Sequence, residues 1–282
     1  MEGLRSKTAE VFVPDHMPLR EALERTTHLA VGAHQDDIEL MAYAGIVECY
    51  GRGDQWFTGL TVSDGTGCRL TGPYAGYTPE QIGQIRNREQ KKAAEIGEYS
   101  CAVLLGYSSR QVCDPACTDV LEDIGALVCR AKPRLVYTHN LADRHKTHVA
   151  VALRTIEAIR RLPPGAKPEK LYGCEGWRSL DWMVEGDKVI IDVSGHPNLR
   201  QALLGVFDSQ IDGGKRYDLA GEGRRRANAV FADPYRPDKG EAVGLAMDLT
   251  PLIENPGLDI QQYVASYIDR FAKDITAMLS GL

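Results

Sequence analysis

The sequence predicts an α/β fold, a mostly parallel β-sheet with helices on both faces. Three observations carry this expectation. Strand-like and helix-like patterns alternate four times before residue 162, the signature of a sheet built from crossover units. The strands read as continuous apolar runs, as they must when both faces of a sheet are covered. The polar residues best suited to chemistry begin where two of those runs stop, at the edge where open α/β sheets bind ligands.

Taken in order, residues 1–27 are mixed and polar, with a short helix expected near Pro18–Arg25. Leu29–Ala33 is the first buried strand. Ile38, Met41, Ala42, Gly45, Ile46 and Cys49 then recur at helical spacing, so a helix follows and stops near Gly51. Trp56–Val62 is the second strand and ends in the turn Ser63–Gly67, with Gly65, Thr66 and Gly67 at its close. Cys68–Pro79 lacks periodicity and reads as a long loop, and long loops in compact folds are often functional. A helix is expected to run from Pro79 or Glu80 to Glu98, then a third strand over Cys101–Tyr107, a helix over Val120–Ala131 and a fourth strand over Arg134–Thr138. His139–Asp143 forms a short loop before a helix over Arg144–Arg161, which Leu162-Pro163-Pro164-Gly165 terminates.

Beyond that point the pattern is less regular. Strands are expected at Lys170–Cys174 and Val189–Val193, a helix at Leu199–Ile211, and a surface loop over Asp233–Gly240. Ile260, Tyr263, Val264, Tyr267, Ile268, Phe271, Ile275, Met278 and Leu279 mark an amphipathic C-terminal helix, whose stripe is most simply core packing and otherwise a subunit contact in a homo-oligomer. With no repeat and no linker, residues 1–282 are expected to form one domain.

The composition is ordinary for a globular protein, 43% hydrophobic and 26% charged. A net charge of −6 argues against a dedicated nucleic-acid binder. The one basic run, Arg224-Arg225-Arg226, is expected on a solvated helix face. Seven cysteines at irregular spacing do not form a disulfide framework, so reduced thiols and a cytoplasmic location are expected. No run reaches the ~20 apolar residues that span a bilayer.

Two segments carry the chemistry. The first strand ends in His34-Gln35-Asp36-Asp37, and the fourth is followed by Asp143-Arg144-His145-Lys146-Thr147-His148. His145 and His148 share a helix face. Two imidazoles and a carboxylate form an open tetrahedral zinc site. Of two adjacent carboxylates only one is needed as ligand, leaving the other to accept the proton of an attacking water. Each segment also has a plain reading: Asp36-Asp37 and Asp143 could cap the helices they precede. The coincidence of both segments favours the metal site.

These segments resemble the LmbE/PIG-L family of zinc-dependent N-deacetylases, whose motifs are usually written A-H-P-D-D-E and H-P-D-H. Here they stand as Ala33-His34-Gln35-Asp36-Asp37-Ile38-Glu39 and His145-Lys146-Thr147-His148. Weaker echoes are the Gly65-Thr66-Gly67 turn, Arg86 with Glu89, and Asp192-Val193-Ser194-Gly195 leading to Ser209-Gln210, so the likeness spans roughly residues 28–211 with an extension over 212–282. The resemblance implies a Rossmann-like sheet, His34, Asp37 and His148 as Zn2+ ligands (with Fe2+ or another divalent metal as a substitute), Asp36 as general base and His145 as the residue that polarises the carbonyl or assists the leaving amine. Gln35 replaces the usual proline and Thr147 the usual aspartate; Asp143 is the candidate to support a histidine in that aspartate's place. Arg86 either orients substrate or pairs with Glu89 on the helix surface. The implied reaction removes an N-acetyl group from an amino sugar or GlcNAc-type conjugate, with aminoglycoside intermediates among the candidates. Tyr74 and Tyr77 in the long loop, and Trp177, Trp182 and His196 after residue 175, are candidate pocket walls.

Two other readings compete. His34, Asp36 and His148 also fit the two-histidine, one-carboxylate triad of a non-haem Fe(II) oxygenase, although such triads typically sit on a double-stranded β-helix. A non-catalytic sugar-binding protein on the same fold would have no use for the spare carboxylate. No G-x-S-x-G, phosphate-loop or dinucleotide motif is present.

Overall fold

The computed structural model describes residues 3–68, 70–238 and 240–282. The N-terminal stretch and the loops expected over 68–79 and 233–240 each include residues outside this set: Met1 and Glu2, Arg69, and Lys239.

Five parallel strands form the centre of an eight-stranded sheet: β2 (His28–Gly32), β3 (Phe57–Ser63), β4 (Cys101–Tyr107), β5 (Leu135–His139) and β6 (Lys170–Cys174). Their spatial order is β4-β3-β2-β5-β6. The chain winds outward from β2 to β4 and then restarts on the other side of β2 with β5, the Rossmann-like arrangement expected. At this reversal the connections leave β2 and β5 in opposite directions and open a crevice at their carboxyl ends. The two chemistry-bearing segments follow those two strands.

Three antiparallel strands complete the sheet. β1 (Glu10–Phe12) pairs with β4, β8 (Val243–Asp248) with β6, and β7 (Lys188–Asp192) with β8. Neither β1 nor β8 is legible in the sequence. β1 is three residues long, below the length at which alternation is readable.

Every residue of β2 and β3 is buried, and their side chains alternate between two cores as the pleat requires. Leu29, Val31 and Leu60 join one cluster, while Ala30 and Phe57 join the other. One face carries α1 (Leu19–Glu24), α5 (Ser109–Cys113), α6 (Asp119–Ala131), α7 (Lys146–Arg160) and α11 (Thr250–Glu254). The opposite face carries α2 (Asp37–Met41), α3 (Tyr43–Cys49), α4 (Pro79–Ile96), α8 (Pro197–Gly205), α9 (Asp208–Ile211) and α10 (Tyr217–Val230). α4 starts with a full capping box between Thr78 and Gln81 and a proline at its first position.

Several expectations are corrected. The single helix after the first strand is two, broken at Ala42 (φ −113°, ψ 20°). The helix over 199–211 likewise divides into α8 and α9 around Phe207. His139 is the last residue of β5 rather than part of a loop. Arg224–Arg226 do not share a solvated face: they lie on α10, and Arg225 is buried.

The stripe of the C-terminal helix α12 (Ile260–Ser280) is core packing only in its first half. Ile260, Tyr263 and Tyr267 reach the core, whereas residues 272–280 are exposed on every side. The periodicity is real, but the helix outruns the body it packs on. Among the described residues no helix is long and apolar enough to cross a membrane, and all seven cysteines are free.

Candidate metal centre and substrate cavity

His34, Asp37 and His148 meet at the crevice between β2 and β5. His34 Nδ1 lies 3.2 Å from Asp37 Oδ2, His148 Nε2 lies 3.3 Å from Asp37 Oδ1, and His148 Nε2 lies 3.3 Å from His34 Nδ1. Donor atoms of a tetrahedral site with bonds of about 2.0–2.1 Å sit about 3.3 Å apart; the two imidazole nitrogens have this spacing, and each has it to a different oxygen of the Asp37 carboxylate. The fold sets this arrangement locally: the His34 N–H donates to Asp37 Oδ2 at 2.7 Å across the turn that opens α2.

The electrostatics call for a cation at its centre. Burial disfavours charge on Asp37, yet His148 beside it holds its pKa well below the usual carboxylate range. Burial also opposes charge on His148, but Asp37 and Asp143 outweigh it and raise its pKa to about 10.

Two further trios come within 4.8 Å of one another: His34, His145 and His148, and Asp37, His139 and His148. His139, which the sequence gives no reason to single out, stacks on His148 at 3.9 Å between ring centres. The lone pair of its Nε2 accepts the Ala33 N–H at 2.9 Å. That nitrogen is therefore not free to ligate, and its 3.4 Å approach to Asp37 is not a hydrogen bond. Burial lowers its pKa to about 4, leaving a neutral ring that braces His148. The signal for it lies in register, since β5 ends one residue later than the apolar pattern suggested.

Asp36 occupies the N-cap position of α2 but makes no capping hydrogen bond, so the plain helix-cap reading does not hold for it. Its backbone is left-handed, φ +91°, a conformation that costs a non-glycine residue of order 1–3 kcal/mol. One peptide bond is gripped at both ends to keep it there. Arg86 Nη2 donates to Gln35 O at 2.8 Å, and the Asp36 N–H donates to Gln90 Oε1 at 3.3 Å. Arg86 and Gln90 are one turn apart on α4, and both are buried. Arg86 Nη1 also donates to Gly65 O at 3.1 Å. Gly65 has φ +71°, and a Cβ there would sit 2.3 Å from Gln35 Oε1, so the turn after β3 requires glycine.

Burial pushes the Asp36 carboxyl well above the usual range, against the pull of Arg86 at 3.8 Å and with help from Asp37 and Glu39. The surface pairing of Arg86 with Glu89 does not form. Glu89 instead accepts from Ser209 N at 2.8 Å and Ser209 Oγ at 2.6 Å, tying α4 to α9.

Asp143 accepts the His145 N–H at 2.8 Å and the Trp177 N–H at 2.9 Å, and lies 3.7 Å from His148 Nδ1. Gly176 permits this approach, because a Cβ there would meet Asp143 Oδ2 at 2.6 Å and His148 Nδ1 at 3.5 Å. His145 is half-buried at the start of α7, its ring 4.9 Å from that of His34 and 4.5 Å from that of His148. Burial and the neighbouring histidines lower its pKa to about 4, so it is a neutral ring with one N–H to donate.

A cavity of about 670 Å³ opens over this cluster, a size suited to a small-molecule ligand. Trp177, Tyr217, Lys215 and Arg224 line it together with Asp36, His145 and Arg86. Trp177 meets Tyr217 edge-on at 6.0 Å. Of the other aromatic residues expected in the wall, Tyr74 and Tyr77 pack on each other, Trp182 packs on Phe271 and His196 on Tyr50, and none lines the cavity.

Comparison with known proteins agrees with this layout. Residues 29–159 match the PIG-L family, described as GlcNAc-PI de-N-acetylase. No curated protein matches the chain. Among solved structures it is similar to the conserved protein TT1542 from Thermus thermophilus (19% identity, 83% of this chain and 99% of that one, TM-score 0.61). It is also similar to GalB, the 4-carboxy-2-hydroxymuconate hydratase of Pseudomonas putida (18%, 79% and 96%, 0.58). A third likeness is to Dbv21, the deacetylase of the A40926 pseudoaglycone (20%, 79% and 97%, 0.56). The segment that matches the PIG-L family, residues 29–159, holds every member of the histidine–carboxylate cluster.

Proposed function

We propose that this protein is a zinc-dependent N-deacetylase that hydrolyses the N-acetyl group of an amino sugar or GlcNAc-type conjugate. The observation that carries the reading is a pair of imidazole nitrogens 3.3 Å apart, each 3.2–3.3 Å from one oxygen of the Asp37 carboxylate, beside a second buried carboxylate without a capping role. The match of residues 29–159 to the PIG-L family and the deacetylase among the neighbours support it. The fold alone does not choose the reaction, since GalB, a hydratase, shares it.

His34, Asp37 and His148 would hold the ion. When bound, it supplies Lewis acidity to the amide carbonyl and to water. Asp36, poised at the cavity wall, takes the proton of the attacking water and returns it to the departing amine. His145 donates its N–H to the oxygen that gains negative charge in the transition state. Asp143 fixes the start of α7, and Arg86 with Gln90 fixes the direction of Asp36. The cavity takes residues from His34 to Leu245, so we read the whole chain as one catalytic unit.

The test is to screen N-acetylated amino sugars for acetate release with the purified protein, with and without a chelator. Acetate release that chelation abolishes and Zn2+ restores is the expected result. Release unaffected by metal removal, or metal-dependent chemistry without acetate release from any N-acetyl substrate, refutes it.

A further inference from the structure

Of the basic run 224–226, Arg226 is exposed and pairs with Glu222 at 2.7 Å, whereas Arg225 is buried. Arg225 is 5% exposed and lines the wall of the substrate cavity. Its Nη2 donates to Glu39 O at 3.0 Å and Leu40 O at 2.7 Å, closing carbonyls of the short helix α2. That structural duty uses one nitrogen. Nη1 is buried with no hydrogen-bond partner, and a buried N–H left unpaired is costly enough that native structures rarely tolerate it.

Among the described residues no carboxylate pairs with Arg225 directly, although Glu222 and Glu175 act on its charge from further off. Its buried neighbour Arg200, by contrast, is neutralised by Glu222 at 2.9 Å. Both guanidinium groups flank the ring of Tyr43, at 5.5 and 5.7 Å from its centre. Glu175 lies in the same wall but is already saturated. Its Oε1 accepts from Ser179 Oγ and Leu180 N at 2.9 and 2.8 Å, and its Oε2 from Asn228 Nδ2 and Leu245 N at 2.7 and 3.2 Å. The rest of this end of the cavity is apolar: Met41, Ala44, Ile191, Val193 and Leu245. In such surroundings an ion pair with a guanidinium is strengthened.

We propose that Arg225 is an anion subsite, and that the substrate carries a carboxylate or phosphate whose oxygen accepts from Nη1. This rests on the deacetylase reading and deepens it. The carbonyls Arg225 holds follow Asp37 by two and three residues on α2, a rise of about 3–4.5 Å along the helix, and Arg225 lines the same cavity as Asp36. One cavity thus lets one sugar present its amide to Asp36 and an acidic substituent to Arg225. A guanidinium favours such charged, planar acceptors over hydroxyl groups.

The experiment measures binding in zinc-loaded Asp36→Asn protein, which holds substrate without turning it over. The calorimetric ligands are N-acetylglucosamine, its 1- and 6-phosphates, and its 6-carboxylate. At least one anionic sugar is expected to bind about 10-fold or more tighter than the neutral parent, as suits a charge-assisted contact. The phosphate and carboxylate arms identify which anion is read. Arg225→Met in the same background brings the ratio close to one, and Arg225→Lys, which cannot hold both carbonyls and the anion, leaves a reduced preference. Equal binding of neutral and anionic sugars, or a preference that survives Arg225→Met, overturns the proposal. If Arg225→Met does not fold, the ligand comparison and Arg225→Lys decide it alone. Failure of the deacetylase reading is separately visible, because no N-acetyl sugar then releases acetate with wild-type protein.

Discussion

The sharpest consequence of the site is that Asp36→Asn separates catalysis from metal binding and from folding. Asparagine has the same size as aspartate and tolerates the left-handed region, so φ +91° at this position is retained. The carboxylate makes no capping bond, and Arg86, 3.8 Å away, keeps its bonds to Gln35 O and Gly65 O. Removing the charge also relieves a buried carboxylate whose pKa is raised by burial. The stability change is therefore small and of either sign, within about 1 kcal/mol, or a shift of roughly 2–4 °C in Tm for a chain of this size. Loss of a general base costs about 10²–10⁴ in rate, equivalent to about 3–5 kcal/mol of barrier at 1.36 kcal/mol per tenfold. The assays are acetate release, zinc content by mass spectrometry and a thermal melt on one preparation. Full zinc and an unchanged melt with kcat down by at least a hundredfold is the expected set. A kcat within tenfold of wild type, or activity lost in proportion to zinc, would refute the assignment of Asp36 as the base.

Three further perturbations follow from the same geometry. Gln90→Leu removes the acceptor for the Asp36 N–H and the donor to Glu39, and should lower both stability, by about 1–3 kcal/mol, and kcat; a variant that loses stability but not kcat shows that the clamp does not aim Asp36. Gly176→Ala places a Cβ 2.6 Å from Asp143 Oδ2, displacing the carboxylate that fixes the start of α7; a fall of at least about tenfold in activity and weaker zinc retention on dialysis are expected. Truncation after Phe271 removes only residues exposed on every side, so Tm and acetate release should match wild type, with a stability change within about 0.5 kcal/mol.

What the sequence determined was the parallel core and the two segments at its edge. Apolar runs of five to seven residues alternating with helical periodicity leave few alternatives, and β4 and β6 fall on the predicted residues. A short antiparallel piece such as β1 carries too few residues to show a pattern, and β8 is defined by its pairing with β6 and β7 rather than by its own residues. The residues His34, Asp36, Asp37, His145 and His148 were nameable in advance because spacing after a strand end is local information. Which of them approach within 3.3 Å is not; that depends on β2 and β5 being neighbours in the sheet.

The long-range roles in the site were not legible for the same reason, although Arg86 itself was nameable. Gln90 and Arg86 matter because α4 lies against the turn at Gln35, and His139 because β5 extends one residue further than its apolar pattern. Arg225 is the clearest case. In sequence it is the middle of three arginines, which local reasoning assigns to solvent. Only the packing of α10 over α2 buries it, gives one of its nitrogens the carbonyls of Glu39 and Leu40, and leaves another buried without an acceptor. Periodicity records which face of an element is apolar, and it holds no record of where that element ends relative to its neighbours. α12 shows this in the opposite sense, because its regular stripe runs on through Ile275, Met278 and Leu279, past the last contact that could bury it.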